Sequence, residues 1–400
     1  MIPLSVPNFE GNEEKYVADA VGQGWVSTGG AYVDLLEKNI AAYVKAPGTV
    51  ACQSGTAALH MALIECGVQA GDIVIVPTLT FIAAVNPVKY LKAVPVFMDC
   101  DDSLCMDSAK LQQFCEEECT LREDTLIHKK TGRRVRAIIV VHVFGNLADM
   151  EGIMSVAQTY KLKVVEDATE ALGTRCDEGR YRGKLAGTIG DFGAYSFNGN
   201  KIITTGGGGM VVCNDMDTLK HLKYLSTQCK DDEHFYIHNE IGFNYRMTNV
   251  QAAIGVAQME ELEEFIERKN KNYELYCRLL ADFTRGYILP FRRGVRSNKW
   301  FYSLVLDMEK STGTVKDIIL QLQDMGVQSR PIWGLIHEQK PYADNLAYCI
   351  EKASFYSERI VNLPCSTNIT EAEIAEVCEK IKRILSKNEE KNCSYHSNKS

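Results

Sequence analysis

The chain has 400 residues, of which 46% are hydrophobic and 24% charged, and a net charge of −8. The length suits a large domain plus a smaller one, and the composition is that of an ordinary globular protein. The negative balance argues against a nucleic-acid binder, whose affinity rests on Lys and Arg neutralising phosphates. No apolar run approaches the roughly 20 residues of a membrane span.

The first residues, MIPLSVPNFEGNEEKY, have no basic start and no long apolar stretch, so no secretory signal is expected. Fourteen cysteines occur at irregular spacing. Cys115 and Cys119 are four apart with no CxxC elsewhere, so no four-ligand zinc site is expected. Reduced thiols in a cytoplasmic protein are the expectation.

From residue 50 the pattern alternates. GTAALHMALIECGV (55–68) predicts a helix, DIVIVP (72–77) a strand, FIAAVNPVKYL (81–91) a helix and VPVFMD (94–99) a strand. Residues 117–136 are dense in charge and read as a surface insertion. RAIIVVHVFGN (136–146) holds a strand, 149–160 a helix, and KLKVVEDAT (161–169) a strand ending in two carboxylates. Continuous Val/Ile runs of this kind belong to strands buried on both faces, which indicates an α/β fold with a mainly parallel sheet flanked by helices. After the run Gly206–Gly209 the character changes. A long helical pattern starts near Asn249, followed by a strand in WFYSLVLD and helices in VKDIILQLQDMG and TEAEIAEVCEKIKRIL. The expected division is a large domain over 1–250, a smaller α+β domain over 251–388 and a polar, disordered tail over 389–400.

Four stretches could carry chemistry, and each has a plain structural alternative. In CQSGTAALH, Ser54, Gly55 and Thr56 stand where a helix begins; they could cradle a phosphate or only cap the helix. In VVEDATEALG, Asp167 follows a buried strand and could hold a protonated ring nitrogen or cap the next segment. In FGAYSFNGNK, Ser196 and Lys201 lie beyond another apolar strand; a lysine shielded from water can form a Schiff base, whereas a solvated turn lysine cannot. In PTLTFIAA, Phe81 could stack on a planar ligand or belong to the core. GTIGDFG and TGGGGM have the wrong spacing for a dinucleotide fingerprint. Jointly the four supply what pyridoxal phosphate needs: an amine, an acid, a phosphate cradle and a stacking face. His60 and His142 read as structural.

The chain resembles the DegT-type (DegT/DnrJ/StrS) sugar aminotransferases, pyridoxal-phosphate enzymes of the aspartate aminotransferase fold (fold type I). The resemblance runs through NEEKYVADAVGQGWVSTGG, SGTAALHMAL, PTLTFIAAVNPV, EDATEALG, GDFGAYSFNGNKIITTGGGGM, GFNYRMTNVQAAIG and NLPCSTN. It implies that Lys201 binds the cofactor as a Schiff base and Asp167 pairs with its ring nitrogen. Gly55, Thr56 and Ser196 would hold the phosphate, and Phe81 would stack on the ring. Asn244 would reach the phosphate of the neighbouring subunit, which implies a homodimer with shared sites. Lysine at 201, where related sugar dehydratases have histidine, favours amino transfer. Glu170 stands where many relatives have His or Gln near the ring hydroxyl; two anionic oxygens there would repel, so one of them must keep a proton.

The N-terminal and SFNGNKIITTGGGG sequences look most like the legionaminic acid and bacillosamine-type 4-aminotransferases. The expected reaction is therefore transfer from L-glutamate to C4 of a UDP-linked 4-keto-6-deoxy-2-acetamido sugar. The alternative is GDP-4-keto-6-deoxymannose, as in a perosamine-type synthase. For the substrate's pyrophosphate and sugar, Lys299, Arg330 and His337 are candidates, as are Trp25 and Ser27. Each could equally be a surface or core residue. No metal is expected.

Overall fold

The computed structural model describes residues 1–396 apart from residues 233 and 312. Its main sheet contains β1 (Thr49–Cys52), β2 (Ile73–Pro77), β3 (Val94–Met98), β4 (Arg134–Val141), β5 (Lys163–Asp167), β6 (Phe192–Ser196) and β7 (Gly209–Cys213). Their spatial order is β1-β7-β6-β5-β4-β2-β3, with Ala347–Tyr348 added beside β3. Every residue of β2 and β7 is buried, which is why these strands read as unbroken apolar runs. Neighbours from β3 through β2, β4 and β5 to β6 are parallel. β7 alone among these seven is antiparallel, to both β1 and β6.

That reversal decides where chemistry can occur. The carboxyl ends of β1, β2, β4, β5 and β6 open on one edge. β7 begins on that same edge, because Gly209 pairs with Ser196 and Cys52. The turns that carry Ser54–Thr56, Thr78–Phe81, Asp167–Glu170, Ser196–Lys201 and Gly206–Gly208 are thereby brought together, as open α/β sheets do at their carboxyl edge.

The helices follow the sequence pattern, with informative exceptions. Helix Gly55–Glu65 starts at Ser54, whose side chain accepts the Ala57 N–H, and helix Met150–Tyr160 is capped likewise by Asp149. The helix expected over 81–91 is divided into a 3-10 turn, Ile82–Ala84, and a short helix, Asn86–Tyr90; Pro87 lacks the N–H that a continuous helix requires. The charged stretch 117–136 forms a hairpin, Cys119–Arg122 against Thr125–His128, that pairs onto β4 through Leu126 and Val135. Burial alternates along Thr125–His128, and Leu126 takes the buried face.

The long helix Asn249–Leu279 opens with a Thr248–Gln251 capping box. It packs against helices Glu13–Gly22, Ala31–Val44 and Glu371–His396, so a boundary at residue 250 falls inside its first turn. A second, antiparallel sheet joins Gly286–Ile288, Tyr302–Leu306, Ile360–Leu363 and Arg330–Pro331. Ile2 bridges to Val327 beside it, so the N-terminus begins there and not on the main sheet. The final helix, Glu371–His396, covers most of the stretch expected as a disordered tail; Lys and Glu in SKNEEKN are good helix formers. Residues 397–400 of that tail lie outside the described residues.

The glycine run has local reasons. Gly206 has φ +76°, the left-handed region that favours glycine. A Cβ on Gly209 would lie 2.4 Å from the carbonyl of Ser54 and 2.6 Å from the nitrogen of Gly55. The first residue of the reversed strand thus touches the backbone that starts helix Gly55–Glu65. Gly209→Ala must push that helix start away, and should destabilise the fold by about 1–3 kcal/mol, read as a fall in the urea midpoint at unchanged m-value; an unchanged midpoint would show that the contact yields freely.

Candidate active site

A cavity of about 380 Å³ lies at the carboxyl edge of the sheet. Gly55, Thr56, Phe81, Asp167, Glu170, Ser196 and Lys201 all line it. Seven of the residues singled out in the sequence, drawn from four separate turns, therefore meet in one place.

Lys201 reaches the cavity from the turn after β6, and its amide is held by the Asn198 carbonyl at 3.0 Å. Its side chain is only 12% exposed, and Nζ lies 3.6 Å from Glu170 Oε1. The other side of the amine is covered by the Trp300 indole, with Nζ 4.0 Å from the ring centroid. Lys201 is thus no solvated turn lysine. Glu170 is buried as well, and its Oε2 accepts the Phe144 N–H at 2.8 Å. That N–H is aimed by a non-glycine residue at φ +57°. Burial pushes the Glu170 carboxyl up to about 7, against the opposing pull of Lys201 and of the Phe144 N–H.

Asp167 ends β5 and is almost fully enclosed. Its carboxylate accepts the Thr169 N–H at 3.1 Å. Burial raises its pKa, and the hydrogen bond to Thr169 and the charge of Lys201 pull it back. A cationic N–H donor placed against it would offset that burial directly. Behind it, Glu166 accepts N–H groups from Gly187, Ile189 and Gly190 and pairs with His142 Nε2 at 2.8 Å. His142 Nδ1 accepts the Ala148 N–H, so His142 is structural, as its sequence suggested.

Gly55 and Thr56 are the first residues of their helix, where N–H groups have no intrahelical partner and the helix dipole favours an anion. A Cβ on Gly55 would meet Thr169 Cγ2 at 2.8 Å and Ser196 Cβ at 3.0 Å, so glycine brings this helix start against Ser196. Phe81 is 55% exposed and lines the cavity, which removes the core reading and leaves its face free for a planar ligand. A buried acid, a shielded amine, an anion cradle and a free aromatic face fit pyridoxal phosphate.

The remaining candidates lie elsewhere. Asn244 is exposed and paired to Thr227, outside this cavity, although Gln53, which lines the cavity, is strapped to its neighbours Tyr245 and Arg246. Trp25 is exposed and Ser27 lies beside it; their carbonyls accept the side-chain and backbone N–H of Asn249. Lys299 turns onto the Tyr273 ring, 4.3 Å away. Arg330 is exposed and bonds the Ser329 carbonyl. His337 binds Thr78 Oγ1 at 2.6 Å, one turn removed from Thr80 in the cavity wall. The sequence reading missed Trp300, Phe301 and Trp333, which line the cavity from the part of the chain that follows the long helix. The adjacent aromatic pair Trp300–Phe301 at the start of a strand was the available signal, whereas Trp333 stood alone.

The model of the DegT/DnrJ/EryC1/StrS aminotransferase family matches residues 7–382. The chain belongs to this family. Among its relatives, GDP-perosamine synthase of Caulobacter vibrioides (strain ATCC 19089 / CIP 103742 / CB 15) is 37% identical over 96% of this chain and 98% of its own. EpsN of Bacillus subtilis (strain 168) is 36% identical over 94% of each. Among solved structures, a DegT DnrJ EryC1 StrS aminotransferase from Brucella abortus superposes with a TM-score of 0.83 at 26% identity, over 94% of this chain and 95% of that one. This DegT-family protein is accordingly a pyridoxal-phosphate-dependent sugar aminotransferase of fold type I. Among the described residues no helix is long and apolar enough to cross a membrane.

The displaced pKa of Glu170 has a measurable sign. The folded protein keeps a proton that the unfolded chain releases between about pH 4.5 and about 7. Stability contributed by this group is therefore full below that window and lost as pH rises through it. In the cofactor-free protein, Glu170→Gln should gain on the wild type by about 1–3 kcal/mol from pH 4.5 to pH 7.5. Urea unfolding across that range checks it; a difference that stays constant with pH would mean that Glu170 titrates normally.

Proposed function

We propose that this aminotransferase moves an amino group from L-glutamate to C4 of GDP-4-keto-6-deoxymannose. The observation that carries this is the 37% identity to a GDP-perosamine synthase over nearly the whole of both chains. Two further relatives of that name, from Escherichia coli O157:H7 and Vibrio cholerae, support it at 32% and 33% identity. The weight therefore shifts from the UDP-linked 2-acetamido sugar expected from sequence to the GDP-linked alternative. The UDP sugar remains the second reading, on the strength of the N-terminal and SFNGNKIITTGGGG resemblance.

Bound pyridoxal phosphate supplies an aldehyde for amine exchange and a ring that takes up electrons. Asp167 holds the proton at the ring nitrogen, and its burial makes that ion pair strong. The N–H groups of Gly55 and Thr56 and the Ser196 hydroxyl anchor the phosphate, and Phe81 covers the ring. Lys201 Nζ, held between Trp300 and Glu170, would hold the cofactor and would move the proton taken from or given to the substrate carbon. Glu170 Oε1 stands 3.6 Å from that nitrogen. With the cofactor bound, Glu170 would be the acid beside its ring hydroxyl, and its raised pKa would let it keep a proton there. Glutamate and the keto sugar use the same Lys201 in turn, so ping-pong kinetics follow. Asn244 is exposed and outside its own cavity, which suits a donor to the site of a second copy in a homodimer. The described cysteines are all unpaired, as thiols of a cytoplasmic protein would be.

Lys201→Ala should abolish turnover; substantial retained activity would overturn the assignment of the amine. Purified protein with pyridoxal phosphate and glutamate, offered the GDP and UDP keto sugars in parallel and followed by product mass, should favour the GDP sugar. Preference for the UDP-2-acetamido sugar would restore the second reading and leave Lys201 untouched.

A further inference from the structure

Lys269 is the least expected charge in the molecule. It sits in the middle of helix Asn249–Leu279, only 3% exposed, where the amphipathic pattern calls for an apolar residue. Its Nζ donates to two main-chain carbonyls, Trp300 at 2.6 Å and Cys365 at 2.5 Å, with the Cys365 thiol beside it. Among the described residues no carboxylate pairs with it. Burial pulls its pKa below the ordinary lysine range, the sign of a cation taken out of water at a cost.

What Lys269 holds is the backbone of the residue that covers Lys201. Trp300 is gripped at three points. Its carbonyl accepts from Lys269, its N–H donates to Asn298 Oδ1 at 3.1 Å, and its indole Nε1 donates to the Asn200 carbonyl at 2.6 Å. Asn298 is itself tied to the carbonyls of Glu170 and Leu172. One face of the indole lies over Lys201 Nζ and the ring stacks on Phe301, with centroids 4.0 Å apart and planes within 7°. The indole has no freedom to turn while these contacts stand, and the amine beneath it is confined between Trp300 and Glu170. The long helix also receives a contact in return, since Tyr302 OH donates to the Lys269 carbonyl at 2.8 Å.

We propose that Lys269 is a positioning residue for amino transfer: through the Trp300 carbonyl it sets the indole over Lys201 and so confines the amine after its release. A well-packed apolar residue would serve the core at least as well as a desolvated ammonium. An apolar residue cannot, however, hold a carbonyl at a set place. The inference rests on Lys201 being the reacting amine.

The test uses the holoenzyme with Lys269→Met, Trp300→Leu and the double variant. Lys269→Met should lower kcat about tenfold or more while the KM of the sugar nucleotide stays within about twofold. Trp300→Leu should do the same, and the double variant should lose no more than the worse single one, because both remove one linkage. Retained kcat in Lys269→Met, or losses that multiply in the double variant, would overturn the proposal. If Lys269→Met does not fold, Trp300→Leu still decides: full kcat there overturns it. A readout independent of turnover comes from the cofactor-free protein with Trp25→Phe and Trp333→Phe, which leaves Trp300 as the sole indole of the three in the sequence. Lys269→Met in that background should shift the emission maximum and raise acrylamide quenching; an unchanged spectrum overturns the proposal. This measurement holds whether or not Lys201→Ala removes activity, so failure of the functional reading and failure of the positioning role can be told apart.

Discussion

The contact between Gly209 and the Ser54–Gly55 peptide group organises this molecule. Parallel strands leave their carboxyl ends in a row, but a row of turns is not a pocket. The reversed strand β7 closes one end of that row, because it must enter from the same edge on which its neighbours leave. It can do so only if its first residue has no side chain, since Ser54 and Gly55 occupy the space where a Cβ would stand. The helix start that offers N–H groups to an anion and the loop that carries Lys201 are thus joined through a backbone-to-backbone contact.

Within that frame the chemistry follows from burial. Asp167, Glu170 and Lys201 are withdrawn from water together, so each becomes the others' electrostatic environment. Desolvation raises both carboxyls, and the ammonium opposes it for both. The two acids are nevertheless not equivalent. Glu170 is offered the Phe144 N–H and stands closest to the amine, whereas Asp167 at the end of β5 awaits a cationic partner. Environment, not residue type, separates the carboxyl that ends β5 from the one that titrates near neutrality.

The aromatic wall shows how the second sheet enters the site. Trp300 and Phe301 immediately precede the strand Tyr302–Leu306, and they reach the cavity because the long helix is fixed against that strand. Lys269 donates to the Trp300 carbonyl across this junction, and the Tyr302 hydroxyl donates to the Lys269 carbonyl. The catalytic edge of the main sheet therefore takes one of its walls from the smaller sheet. A shift of one relative to the other would be felt at Lys201 first.

How much of this could be read in advance depends on the range of the interaction. Local rules were enough for the α/β alternation, the helix start at Ser54, the carboxylates that end β5 and the lysine in the turn before the glycines, because periodicity, capping and strand ends are set by residues a few positions apart. Those same rules left each role open: Phe81 could be core, Lys201 a surface turn, Asp167 a cap. The hairpin Cys119–Arg122 against Thr125–His128 was legible only as a surface insertion, because charge density alone does not show that such a segment pairs onto the sheet. Lys299, chosen for its charge, turns onto Tyr273, while its neighbour Trp300 covers the amine; adjacent residues in an irregular segment face different ways, and nothing in their order says which. The sequence by itself determined which groups were available and in which turns they lie. Only the tertiary structure decided which of them meet, because proximity across 100 residues depends on the packing of two sheets and one long helix, and burial, which sets the pKa values, exists only once that packing is complete.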